Sequence, residues 1–150
     1  MNKKREAREF CFQYFFHLQL PVFEQIRHSF STGGSQQEIQ NSINEFKETT
    51  NTILSDDLNK FALELISGTL THYDEVQQII EANLKNWKLK RISRVDHTNL
   101  LLATYELCFD KSTHATVVIN EAIEISKKFG SLESGSFINA ILDSIAKSQV

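Results

Sequence analysis

The sequence predicts an all-α protein, and three observations carry that prediction. Its 150 residues include one proline and five glycines, so few positions break a helix. Window after window sets apolar residues at three- and four-residue steps, the period of a helix buried along one face. No stretch alternates apolar and polar residues for the length of a strand. A chain this long can bury one substantial core. The expected architecture is a single compact helical domain, 1–150, of about six to seven helices, or two packed helical subdomains.

The first helix is predicted from Lys3 to Leu20, with Pro21 ending it. Ala7, Cys11, Tyr14 and Leu18 form its core stripe, flanked by Phe10 and Phe15. At 100° per residue, Phe12 and Phe16 fall on the opposite side, near the azimuth of Arg5. Either another helix covers these two rings, or they form an exposed patch for a partner. Lys3, Lys4, Arg5 and Arg8, interrupted by Glu6 and Glu9, stand at the positive end of this helix. Taken alone, such a cluster fits a solvated surface as well as a phosphate contact.

Beyond Pro21, the spacing of Val22, Phe23, Ile26 and Phe30 suggests a short helical segment, interrupted by Gly33 and Gly34. Ser35 and Glu38 make a capping box for a helix with Ile39, Ile43, Phe46 and Ile53 on one side. Ser55 to Asp57 supplies the next cap and its early acidic charge, and Leu58, Phe61, Leu65 and Ile66 line a helix running toward His72. Asp74 and Glu75 open another, carrying Val76, Ile79, Ile80 and Leu84. Lys85, Lys88, Lys90, Arg91 and Arg94, with Trp87 among them and no acid, form the densest basic run of the chain. Cations interleaved with an aromatic suit single-stranded RNA, and equally a connector whose lysines snorkel over a buried Trp87. Ser93 and Asp96 then cap a central helix that is apolar over much of its circumference and is expected to be the most enclosed.

Val117 to Asp143, VVINEAIEISKKFGSLESGSFINAILD, reads as helix, turn, helix. Ile119, Ala122, Ile123, Ser126 and Phe129 form the first stripe; Phe137, Ile138, Ile141, Leu142 and Ile145 form the second. Lys127 and Lys128 suit the negative end of the first helix, Gly130 can take the left-handed conformation past it, and Ser131 or Ser134 can cap the second.

Other chemistries find no support. Cys11 and Cys108 are too few for a zinc site or a disulfide framework and are expected as buried free thiols. The five histidines stand singly, without a His-Glu-x-x-His pair, and there is no Gly-x-Ser-x-Gly elbow or dinucleotide fingerprint. No enzyme, metal or cofactor is expected. The longest apolar run falls far short of a membrane span, and the basic N-terminus lacks a signal-type core, so a soluble cytoplasmic protein is expected. With a net charge of −3 and a pI of 5.9, attraction to nucleic acid has to come from a local patch.

The letters INEAIE, KKFG, ES and FINAILD of the hairpin resemble the C-terminal signature of the NusB family of bacterial transcription antitermination factors. RISRVDHTNLLLATYEL, Arg91 to Leu107, resembles the family's central helix, and REAREFCFQYFFHLQL, Arg5 to Leu20, its first. The likeness spans nearly the whole chain and is weakest from Pro21 to Ser55. It implies an RNA- and protein-binding factor that recognises boxA-type RNA with the ribosomal protein NusE and joins RNA polymerase antitermination complexes. It also implies RNA contacts at Lys3, Lys4, Arg5 and Arg8, with Glu133 and Phe137 on the same surface, and NusE contacts at Phe16, Lys90 and Asp96. Phe12, on the Phe16 side of the first helix, joins the expected partner surface. Departures from the family pattern are Glu6, Thr116 and Ser136 where basic residues are familiar, His114 where a proline is, and Lys90 where an acid is common. A similar helical domain also precedes the catalytic domain of certain ribosomal RNA cytosine methyltransferases, which is the alternative reading. A purely structural helical adaptor or homodimer is a third.

Overall fold

The structure, a computed structural model, describes residues 3–84 and 91–149, apart from the side chains of Lys3 and Ser31. The described residues form eight α-helices and one 3₁₀ turn, with no strand. This is the expected all-α class, with one helix more than the six to seven anticipated. The helices are α1 Lys3–Leu18, α2 Glu24–Ser31, α3 Gln36–Thr50, α4 Asp56–Thr71, α5 Tyr73–Asn83, α6 Arg94–Cys108, α7 Ala115–Phe129 and α8 Ser134–Ser148. The short helical segment expected after Pro21 is α2, which the 3₁₀ turn Pro21–Phe23 separates from α1. The chain divides into two compact units, Met1–Thr71 and His72–Val150.

In the first unit, α1 packs against α4, and α2 and α3 also pack on α4. The rings of Phe10, Tyr14 and His17 on α1 gather around Phe46 of α3 at centroid distances of 5.8, 5.6 and 5.3 Å. Tyr14 also bonds Ser42 of α3 through its hydroxyl at 2.8 Å. Burial pushes the Tyr14 phenol above its ordinary pKa, with the Ser42 bond opposing that shift. The start of α3 follows the sequence: Ser35 Oγ accepts the Glu38 N–H at 3.1 Å. Its end does not. Asn51 takes a left-handed φ of 53° and stops the helix at Thr50, so Ile53 leaves the stripe and is 90% exposed, and Leu54 turns inward instead.

Every residue of the α1 stripe is buried, and so is Phe12, at 3% exposure. Phe12 is therefore no part of an exposed patch. Ala7, Phe10, Cys11, Phe12, Tyr14, Phe15 and Leu18 occupy most of the helix circumference, and a helix apolar on nearly all sides is enclosed rather than laid on a core. Phe16 remains half-buried, stacked on Phe12 at 6.0 Å.

The second unit is built around α6, which packs against α5, α7 and α8. Nine of its residues are buried, including Thr98, Asn99, Thr104 and Glu106, so the expectation that it is the most enclosed helix holds. Its start is as predicted, with Ser93 Oγ accepting the Asp96 N–H at 3.1 Å. Buried polar atoms need partners. Asn99 Nδ2 supplies one such bond to Ala122 O at 2.9 Å and another to Ser126 Oγ at 3.2 Å, pinning α6 to α7. Ser144 Oγ donates to Asn83 Oδ1 at 2.7 Å and ties α8 to α5.

The α7–α8 hairpin forms as expected, with three local corrections. The buried stripe of α7 is Val118, Glu121, Ala122, Ile125 and Ser126, while Ile119, Ile123 and Phe129 are only half-buried. Apolar residues on adjacent azimuths left the sequence two choices of face, and contact with α6 and α8 selects one. Gly130 is extended, at φ −97° and ψ −171°, rather than left-handed. It is needed for space: a Cβ there would lie 2.6 Å from Ser134 Oγ and 2.9 Å from Ser126 O. Neither serine caps α8 by accepting a helix N–H. The N-cap position is Glu133, and Ser134, itself buried, accepts the Ser131 N–H at 3.0 Å. Cys11 is a buried free thiol, whereas Cys108 is free and half-buried; burial raises its pKa, with Lys111 opposing.

Gly130→Ala should destabilise the protein by about 1–3 kcal/mol through overpacking. Gly135→Ala, where a Cβ meets nothing within 4 Å, should be neutral or stabilising by up to about 1 kcal/mol. Urea unfolding monitored by circular dichroism measures both; equal losses would contradict the close approach at Gly130.

Candidate nucleic-acid and partner interface

The basic N-terminal cluster lies in the first two turns of α1, where the positive helix end adds to the side-chain charge. Within it the residues differ. Lys4 and Arg5 are exposed, Arg8 is 4% exposed, and the side chain of Lys3 lies outside the described residues. One turn apart on the helix, Lys4 and Arg8 both reach Phe61 of α4: Lys4 Nζ is 5.3 Å and Arg8 Cζ 5.0 Å from the ring centroid. A cation over a ring face is held most firmly where water is excluded, which is the condition of Arg8. Arg8 is thus a packed cation in this structure, correcting its expected place among surface phosphate contacts. Phe61 was legible only as a core residue of α4; nothing in the spacing said that its half-buried ring would carry two cations.

Of the expected partner residues on α1, Phe12 is enclosed and only the half-buried Phe16 reaches the surface. Lys90 lies outside the described residues, as does the basic run from Lys85 to Lys90 with Trp87. Arg91 and Arg94, which close that run, are exposed.

In the second unit, Glu133 is exposed at the N-cap of α8, one turn before the half-buried Phe137. Thr116 and Ser136 are exposed too. His114 occupies the N-cap of α7, its Nδ1 accepting the Thr116 N–H at 3.2 Å. Asp96 and Phe137, expected at different interfaces, line one small cavity with Arg91, Ile92 and Ser93. Asp96 Oδ1 is shut off from solvent and accepts no hydrogen bond among the described residues. The sequence could not reveal this meeting of the α6 start with α8, because 41 positions separate the two residues.

A sequence model of the NusB family matches residues 5–147. The chain belongs to the NusB family. Among its relatives, the transcription antitermination protein NusB of Desulfitobacterium hafniense is 37% identical over 145 residues, covering 97% of this chain and 88% of the relative. That of Thermodesulfovibrio yellowstonii is 32% identical over 148 residues, covering 99% and 94%. Among solved structures, NusB of T. maritima superposes with a TM-score of 0.77 at 32% identity, covering 96% of this chain and 90% of that one. A structure of the antitermination factors NusB and NusE in complex with double-stranded RNA shares the fold, with a TM-score of 0.79 at 24% identity, covering 99% and 98%. No described helix is long and apolar enough to cross a membrane.

Because Arg8 is packed and Lys4 is exposed, their replacement by alanine should separate cleanly. Arg8→Ala should lower the thermal midpoint by several degrees, as loss of a buried bonded group costing about 1–3 kcal/mol would. Lys4→Ala should leave it almost unchanged. Differential scanning calorimetry measures this, and equal midpoints for the two variants would return Arg8 to the surface.

Proposed function

We propose that this chain is a transcription antitermination factor that binds boxA-type single-stranded RNA together with the ribosomal protein NusE, and with it joins RNA polymerase complexes on ribosomal RNA operons. The observation that carries this reading is membership of the NusB family across residues 5–147. Relatives named as transcription antitermination proteins match nearly the whole chain. The action is scaffolding in the cytoplasm: two partners are held together and no bond is made or broken. Residues 1–150 work as one RNA-binding unit.

Lys3, Lys4 and Arg5 take phosphates, helped by the positive end of α1. Arg8 supports them from beneath, stiffening the first two turns through Phe61. Glu133 and Phe137 lie along the RNA path at the start of α8. Phe16 meets NusE, with Phe12 backing its ring, and Lys90 and the region of Asp96 complete the partner contacts inferred from the family. With net charge −3, the chain draws RNA only locally, so affinity rests on these few contacts and on the partner.

Replacing Lys3, Lys4 and Arg5 together by alanine should reduce the log–log salt dependence of RNA binding by about 2.1, at about 0.7 per phosphate lost from a single strand. An unchanged slope would move the phosphate contacts elsewhere. Phe16→Ala should weaken association with NusE by at least about tenfold, as loss of an aromatic anchor does, while the thermal midpoint holds. The reading as a whole fails if size exclusion finds no larger species on mixing with NusE, and boxA RNA binds no better than a scrambled strand.

A further inference from the structure

Three rings gather where α5 begins and α6 ends. His72 stacks on Phe109 with centroids 4.3 Å apart, and Tyr105 lies 6.1 Å from Phe109 and 5.9 Å from His72, all three planes within 26° of parallel. Each ring is half-buried, so part of the stack stays at the surface instead of closing into the core. The charges beside it are mostly of one sign. Asp74 and Glu75 open α5 and are exposed, and Glu75 Oε1 lies 3.1 Å from His72 Nδ1 with 62% of its side chain open to solvent. Asp110 follows Phe109, the C-cap residue at the negative end of α6. Against these three carboxylates, the exposed Lys111 is the one lysine or arginine in segments 72–76 and 105–112. No described cation lies over the ring of His72 or Phe109, whereas Phe61 carries two. A helix of 15 residues is about 22 Å long, so the stack is well clear of the cavity that Phe137 lines at the start of α6.

We infer that this stack is the docking point for a protein partner that presents an arginine from a basic segment. A guanidinium is planar and delocalised, lies flat on an aromatic face, and turns its N–H groups toward carboxylates beside the ring. Phe109 and His72 offer the ring surface here, and Glu75 and Asp110 the acceptors. The chain makes the same use of a ring internally, holding Arg8 Cζ 5.0 Å from the centroid of Phe61. An ammonium carries the charge but not the plane, so lysine fits less well. An RNA base would stack on these rings too, but its phosphates would meet three carboxylates and the negative end of a helix, and that charge decides for a cation. A second copy pairing symmetrically through this surface would set the same acids against each other. A partner held at this end of α6 leaves the proposed RNA contacts at the start of α8 uncovered.

The test uses the full chain, carbon-13-labelled in its aromatic rings, and three acetylated peptides alternating glycine with arginine, lysine or citrulline, the last having the shape of arginine without its charge. Two-dimensional NMR spectra follow the ring signals of His72, Tyr105 and Phe109 through each titration. The arginine peptide should move these signals and bind about threefold tighter than the lysine peptide, while the citrulline peptide leaves them in place. Phe109→Leu, which keeps an apolar side chain and removes the ring, should weaken the arginine peptide by about three- to tenfold and should bind boxA RNA and NusE as the parent does. Glu75→Gln and Asp110→Asn should each weaken it by about twofold, a readout that stands even where Phe109→Leu loses stability. Equal binding of the arginine and citrulline peptides, unmoved ring signals, or charge variants that bind like the parent would overturn the inference. Ring signals that move with octauridylate would give the surface to RNA, and signals that move on raising the protein concentration alone would give it to a second copy. Loss of NusE binding by a folded Phe109→Leu would make the stack part of the NusE contact; each of these three outcomes overturns the inference as well. Failure of boxA and NusE binding by the parent chain would instead remove the proposed function and leave this surface standing.

Discussion

The second unit depends on the enclosure of α6. A helix packed by α5, α7 and α8 has no wet side on which to put its polar residues, so Thr98, Asn99, Thr104 and Glu106 are carried inside. A buried polar group that finds its partner restricts how neighbours can sit, because the position that satisfies it is costly to leave. Asn99 shows the effect directly: its two bonds, to Ala122 O and Ser126 Oγ, fix α7 at one azimuth and one height. With α7 fixed, the tight turn at Gly130 sets where α8 begins, and with it where Glu133 and Phe137 stand. The placement of the start of α8 beside the start of α6 is therefore a consequence of burial deep in the unit.

A comparable coupling of core and charge operates in the first unit. α1 is apolar on most of its circumference, which leaves its cations little surface of their own. Phe61 resolves part of this conflict by offering Arg8 a ring face, so the charge is neither solvated nor stranded. The same ring sits beneath Lys4, whose exposed ammonium stays accessible. One aromatic residue thus divides a run of similar side chains into a packed one and a reachable one.

How much of this was legible in the sequence follows from which forces are local. Helix starts at Ser35 and Ser93 were readable, since a cap is a contact across three residues. The inward stripes of α1, α5 and α8 were readable from their period. What failed needed a partner element to decide it. Phe12 was assigned outward because a helical wheel shows one core, while an enclosed helix has apolar neighbours on several sides. The α7 stripe was misplaced by one azimuth because Val118, Ile119, Ala122 and Ile123 satisfy the period on two adjoining faces. Gly130 was assigned a left-handed φ from its place after a helix, whereas the constraint on it is Ser134 Oγ, visible only once the turn is built. For the interface, the family resemblance supplied residues without surroundings. It named Arg8 but not its burial, and Asp96 and Phe137 but not their shared cavity.

An acidic chain that handles an anionic polymer has to solve an electrostatic problem, and the placement of its groups indicates how. Screening at physiological salt reaches about 8 Å, so the net charge of −3 matters less than what lies within that distance of each phosphate. In the phosphate contact proposed at the start of α1, the exposed cations are Lys4 and Arg5, set against the exposed Glu6. So few cations give a shallow, salt-sensitive attraction that any strand would feel equally. Selectivity then has to come from contacts that phosphate cannot make, those to the bases and to the protein partner.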